Sequence, residues 1–191
     1  MTEPPLVVVR HGATEWSENG RHTGSTDLPL LPSGRERARA LARVLDPGDF
    51  DRVLCSPMLR ARETCELAGF GDRMEIVEQL HEWDYGDYEG LTTPEIRERD
   101  PGWNMWRDGC PGGESPADVA ARVDEVLSML GGVRVIAFAH GHLLRVLAAR
   151  WIGLEAADGA RLVLAPGAIG RLGHEHERRV LERWNLGDRA L

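Results

Sequence analysis

The chain of 191 residues carries 23 Lys+Arg against 31 Asp+Glu, a formal net charge of −8, with 42% hydrophobic and 28% charged residues. That length suits one domain, and the mix is that of a folded globular protein, not a disordered tail, a coiled coil or a collagen-like chain. The acidic balance argues against a nucleic-acid partner, which needs a basic patch, but it leaves room for a small anion held by local arginines.

No apolar run approaches the ~18 residues of a membrane span. The opening MTEPPLVVVRHG has no basic flank before its short apolar stretch, so it does not read as a secretory signal. Cys55, Cys65 and Cys110 are an odd count without zinc-ligand spacing. They read as reduced thiols of a cytoplasmic protein.

The β-branched run Leu6–Val9 predicts a first strand. Pro29–Pro32 is a connection, after which Ser33 is expected to cap a helix with Glu36 closing a capping box. Ala38, Leu41, Ala42 and Leu45 share one face of that helix, and Asp46-Pro47-Gly48 stops it. Arg52–Cys55 predicts a second strand, Met58–Leu67 a helix ending near Gly69, and Glu75–Val77 a short third strand. The stretch 82–113, rich in Trp, Tyr, Gly and acidic residues, lacks periodicity and reads as loops with one short helix around Pro94–Arg99. A long irregular stretch inside a compact domain marks a functional loop or lid. Ser115 opens the next helix, with Val119, Ala120, Val123, Val126, Leu127 and Leu130 on its apolar face. Val133–Ala139 is the strongest strand signal, and Leu143–Ile152 an apolar helix after it. From Arg161, strand-like pieces alternate with turns expected at Pro166-Gly167 and Gly173. Strands and helices in alternation are the pattern of an α/β sheet.

Two strand ends carry the same chemistry. Leu6–Val9 runs into Arg10-His11-Gly12, and Val133–Ala139 into His140-Gly141-His142. Ligands of open α/β sheets bind beyond the carboxyl ends of strands, so two imidazoles are expected in one crevice. The strand Arg52–Cys55 ends in Ser56-Pro57, with Arg60 and Arg62 on the first turn of its helix. Guanidinium forks match pairs of phosphate oxygens, and imidazole can serve as a covalent nucleophile. The cluster therefore suits a phosphoryl group.

VVVRHGATEW, TGSTDLPL, CSPMLRARET, HEWDYGDYEG and FAHGH occur here in that order. With them the sequence resembles the histidine phosphatase superfamily, the phosphoglycerate mutase-like family. WNMWRDGCPGGES and FAHGHLLRVLAARWIGL look closest to its branch of sedoheptulose-bisphosphatase-like enzymes and bacterial acid phosphatases. The resemblance implies an α/β fold with a mostly parallel central sheet flanked by helices on both faces and a lid, about 82–115, inserted after the third strand of a single domain, 1–191.

It also implies roles. His11 is the residue phosphorylated during turnover, Arg10 and Arg60 hold phosphate oxygens, and His140 is a second, charged imidazole on the same group. Glu82 is the general acid, with Asp84, Asp87 and Glu89 as rivals. A sugar alkoxide leaves poorly, so its bridging oxygen needs a proton. A carboxyl shielded from water beside an anion can hold that proton near neutral pH. Thr23 and Gly24 fall where the family contacts substrate. Ser17 stands where many members have Asn, and its hydroxyl reaches less far. Tyr85, Gly141 and Arg107 complete the substrate-binding set, with Arg107 as a candidate partner for a second phosphate, while Trp103 and Trp106 either frame substrate or pack the lid. His22, His81, His142, His174 and His176 lack a partner argument, and His174 and His176 read as surface residues of a turn.

No cofactor and no metal are expected. The short chain favours access of water and hence hydrolysis over the mutase reaction of the family, and the presence of both His11 and Glu82 disfavours a non-catalytic phosphate-binding protein. The expected substrate is a small phosphorylated metabolite such as a sugar phosphate, with no nucleic acid or membrane as partner and a homodimer left open.

Overall fold

The computed structural model describes residues 4–187. Its centre is a six-stranded sheet in the order β3-β2-β4-β1-β5-β6. The strands are β1 (Leu6–Arg10), β2 (Arg52–Cys55), β3 (Met74–Ile76), β4 (Val135–Ala139), β5 (Ile169–Glu175) and β6 (Arg178–Leu186). The first four run parallel to one another, and β5 and β6 form a hairpin whose β5 pairs antiparallel with β1.

Alternation along the parallel strands feeds two cores, one on each face. Leu6, Val8, Leu54 and Ala137 point to one face, and Val7, Val9, Val53 and Phe138 to the other. The helices are α1 (Glu15–Asn19), α2 (Pro32–Leu41), α3 (Leu59–Leu67), α4 (Thr93–Arg99), α5 (Met105–Asp108), α6 (Pro116–Ser128) and α7 (Gly141–Trp151). Val119, Val123 and Val126 of α6 and Leu143, Leu144 and Leu147 of α7 cover the first face, whereas Leu41 of α2 and Ala61 and Cys65 of α3 cover the second. The fold is thus the α/β sheet with helices on both faces that the sequence implied.

Several local expectations are corrected. Ser33 is not a cap: α2 begins at Pro32 after Leu31, without a side-chain cap. Proline at the first helical position pre-sets φ and overrides the weaker Ser33–Glu36 pattern. The helix ends at Leu41, and Asp46 instead caps a short 3-10 turn. The third strand lies one residue earlier than expected, at Met74–Ile76. Gly173 is inside β5, not in a turn; the hairpin turns at His176-Glu177, and His176 has φ 55°. Gly173 is small because Glu182 of β6 crosses over it. His174 accordingly sits in the strand, half-buried, its ring 5.4 Å from Trp151. Segment 82–115 holds a second helix, α5, capped by Asn104.

One glycine pair fixes the loop after β1. A Cβ on Gly12 would stand 2.5 Å from the carbonyl oxygen of Gly34, and a Cβ on Gly34 would press on Ala13. Backbone therefore packs on backbone, which seats α2 directly against the residues that follow His11.

Candidate active site

Three neighbouring parallel strands end at one edge of the sheet. Arg10 is paired with Ala139, and Cys55 with Phe138. The next residues are locked to the same strand: His11 donates its amide to Ala139 at 3.0 Å, and Ser56 to Phe138 at 3.0 Å. Strands about 4.8 Å apart then bring the two imidazoles side by side. The His11 and His140 rings are 5.2 Å apart, edge to face.

His11 is set up as a nucleophile. Its Nδ1 is 2.7 Å from the carbonyl of Gly12, which only accepts, so Nδ1 carries the proton and Nε2 the lone pair. Burial, reinforced by Arg60 and Arg10, pushes its pKa well below 6.5.

His140 departs from expectation. Arg60 Nε donates to its Nδ1 at 3.2 Å, so Nε2 bears the proton and donates to Ser56 Oγ at 2.7 Å. Burial, then Arg60 and His11, hold this ring neutral, not charged. Arg60 is fully buried behind the cleft. Its Nη1 and Nη2 donate to the carbonyls of Thr26, Thr23 and Gly24. Arg60 thus ties His140 to the loop 23–26.

Arg10 lines a cleft of about 250 Å³ with His11, Glu82, Tyr85, Gly141 and others. Its Nη1 donates to Leu164 O at 2.5 Å, while its buried Nε has no partner among the described residues. Gly141 permits this placement, since a Cβ there would sit 3.0 Å from Arg10 Nε.

Glu82 is buried and caps α7. Oε1 accepts from the amides of Leu143 at 2.9 Å and Trp83 at 3.0 Å, and Oε2 from His142 at 3.0 Å. Helix α7 has no cap from its own Ncap side chain, His140, so the Glu82 carboxyl group satisfies its orphan amides instead. Arg122 of α6 fixes the two ends of segment 82–115, donating to the carbonyls of Gln79 and His81 and pairing with Glu114 at 2.8 Å.

The remaining candidates divide. Ser17 and Thr23 line the cleft. Ser17 Oγ also donates to Thr14 O at 2.9 Å within the cap of α1. Gly24 gives its amide to Glu89, whose carboxylate also accepts from Thr26, so that glutamate packs the loop. Arg107 is outside the cleft, paired with Asp108 at 2.6 Å and bonded to Gly102 O. Trp103 is buried, donating to Gly109 O, and Trp106 packs edge-on to Trp83, so both tryptophans pack segment 82–115.

Six cleft residues have no role in the sequence pattern: Gly20, Arg21, His22, Thr93, His142 and Arg145. The usable signal was HGHLLR, which puts His142 and Arg145 three residues apart on the helix that starts at the strand end. His142 Nδ1 is 2.6 Å from the Tyr85 hydroxyl, and His22 packs on Tyr85 with rings 4.8 Å apart. Burial lowers His142 well below 6.5 and His22 to about 4, with Glu89 opposing the latter shift. Among the described residues no group of three His, Cys, Asp or Glu side chains could hold a metal ion.

Four histidines held neutral make stability pH-dependent. Their folded pKa values lie below the unfolded value, so the unfolded state binds more protons in between. Their contribution is intact above about pH 6.5 and is lost as pH falls toward 4. The melting temperature should drop steeply across that window, and His22→Asn should flatten the drop. An unchanged slope in that variant would contradict the buried neutral state.

A mostly parallel sheet whose carboxyl edge gathers imidazole and guanidinium groups defines a phosphoryl-handling α/β protein. Residues 6–187 match the family described as histidine phosphatase superfamily (branch 1), and the chain belongs to it. It is 42% identical over 182 residues to an acid phosphatase of Mycobacterium tuberculosis, covering 92% of this chain and 89% of the other. It is 36% identical to sedoheptulose 1,7-bisphosphatase of Saccharomyces cerevisiae, covering 79% and 68%. A solved Mycobacterium tuberculosis open-reading-frame product superposes with a TM-score of 0.91 at 40% identity, covering 97% and 98%. Bacterial phosphoglycerate mutases are among the further relatives.

Proposed function

We propose that this protein hydrolyses phosphate monoesters of small metabolites, sugar phosphates foremost, through a phosphohistidine on His11. The observation that carries this reading is the neutral His11 ring. Its Nδ1 is tied to Gly12, and Arg10 stands beside it in the cleft. In the first step His11 Nε2 attacks phosphorus as the ester P–O bond breaks, and the Glu82 carboxyl gives its proton to the leaving oxygen. In the second, water attacks phosphorus and gives a proton to Glu82, and the P–N bond breaks to release inorganic phosphate.

Arg10 Nε stabilises the equatorial oxygens, while Arg60 and His140 stand behind it as positioning residues, tying the loop 23–26 to Ser56 at the end of β2. The segment 82–115 is the lid of the single domain and delivers Glu82. Phosphatase names among the relatives support hydrolysis. Three buried free cysteines support a reducing compartment, the cytoplasm.

Incubation with sugar phosphates and with 3-phosphoglycerate in the presence of a metal chelator tests the reading. It predicts release of inorganic phosphate that the chelator does not reduce. Isomerised phosphoglycerate without release of phosphate would assign the protein to mutases instead, and loss of activity with chelator would assign it to metal-dependent hydrolases.

A further inference from the structure

The backbone that carries Glu82 is gripped from both sides by one ion pair. Arg122 of α6 and Glu114, next to the Ser115 cap of that helix, keep only 11% and 17% of their side chains exposed. Every N–H of the Arg122 guanidinium has a partner there. Nε and Nη2 donate to the two carboxylate oxygens of Glu114 at 2.9 and 2.8 Å, a fork on a fork. Nη1 donates to the carbonyls of Gln79 at 2.6 Å and His81 at 2.8 Å, and Nη2 also reaches the carbonyl of Glu82 at 3.4 Å.

Glu114 holds the residues that follow. Its Oε2 accepts from the Asp84 amide at 2.9 Å and its carbonyl from the Trp83 indole at 2.9 Å, while its own amide donates to the Asp84 carbonyl at 2.9 Å. Residues 82–85 belong to no helix or strand, so no ladder of their own fixes where the Glu82 side chain starts. A buried ion pair adds little net stability, because desolvation offsets the attraction. Neither partner lines the cleft. What the pair does is set the position of the peptide from which Glu82 projects, and a reacting group misplaced by about 1 Å can cost about 100-fold in rate.

We propose that Arg122, through its pair with Glu114, is a positioning residue for proton transfer by Glu82 to the leaving oxygen. The proposal rests on Glu82 as the general acid and deepens that reading. A brace that served folding alone would slow every ester alike. Positioning of an acid is read in the leaving group, since an alkoxide needs the proton and a nitrophenolate does not.

Kinetics on two esters and one inhibitor test it with the full chain. The alkyl ester is the faster cleaved of fructose 6-phosphate and glycerol 3-phosphate, the aryl ester is p-nitrophenyl phosphate, and vanadate reports on the phosphoryl end. Glu114→Gln should lower kcat on the alkyl ester by about tenfold and Arg122→Gln by about 100-fold, with the aryl ester slowed by less than about threefold. Arg122→Lys should recover part of the loss, because an ammonium group replaces the charge but not the fork. Inhibition by vanadate should stay within about twofold of the wild type. In a Glu82→Gln background the same substitutions should add less than about twofold on the alkyl ester, because the proton they help to place is gone. Glu114→Gln is isosteric and keeps the backbone groups that hold Trp83 and Asp84, so its result stands whatever the Arg122 variants do to folding.

Equal slowing of both esters, a full further loss in the Glu82→Gln background, or wild-type kinetics in Glu114→Gln each overturn the proposal. Glu82→Gln alone separates two levels of failure. If it slows the alkyl ester selectively while the Arg122 and Glu114 variants do not, only the positioning role falls. If it slows both esters equally, or if the wild type cleaves no alkyl ester, the general-acid reading falls and the positioning role falls with it.

Discussion

His11→Ala is expected to fold and to lose turnover of every phosphate monoester by about a million-fold, the scale seen when a covalent nucleophile is deleted. The loss is in kcat, because the cleft keeps Arg10, Arg145 and the loop around Thr23. Folding is spared because the ring is already neutral at the end of β1, and the strand's packing comes from Leu6–Val9 on its two faces. His11→Asn is a useful companion, since its amide can still donate to Gly12 O while offering no nucleophilic nitrogen. Substantial residual hydrolysis of p-nitrophenyl phosphate by either variant would move the nucleophile elsewhere.

The second large effect is selective. Glu82→Gln should slow sugar phosphates by about 100- to 1,000-fold, within the usual range for a general acid, yet slow aryl phosphates by less than about tenfold. An alkoxide needs the proton, whereas a nitrophenolate leaves without it. The amide oxygen of glutamine can still accept from one helix amide, but it cannot take all three contacts that Glu82 makes to Trp83, His142 and Leu143. The variant should therefore also lose about 1 kcal/mol of stability, the worth of a helix cap. Measuring kcat with both substrate types separates the roles: equal slowing of both would mean that Glu82 matters as the cap of α7 and that another group supplies the proton.

The sheet was legible because its strands are short β-branched runs whose ends carry the distinctive residues. Arg10-His11 and His140 lie where the β1 and β4 patterns stop, and the parallel register does the rest. Helix α6 was legible through Ser115 and its valine face, and the capping box with Asp118 is present. Competing local signals produced the errors. Pro32 outranked Ser33 as a helix start, and Gly173 served a cross-strand contact and not a turn.

The site was half legible. Pairing of His11 with His140 followed from strand ends. The neutral state of His140 did not, because it depends on Arg60, 80 residues away in sequence, donating to Nδ1. Glu82 came through family resemblance alone. Its seat on the amides of α7 is a tertiary contact across 60 residues that no local pattern encodes. Arg145 lies inside an apolar helix, where its place in the cleft has no local signal, and the charge of Arg107 is claimed by Asp108 beside it.

The central claim is a covalent bond between His11 and phosphorus. Rapid mixing of the wild type with a good aryl phosphate, quenching in alkali and peptide mapping by mass spectrometry reads it directly. The account predicts one added phosphoryl group on the peptide that holds His11, formed within a single turnover, alkali-stable, acid-labile and missing from His11→Asn. An enzyme that turns over substrate in the same mixture while that peptide stays unmodified, or carries the phosphoryl group on another residue, would contradict it.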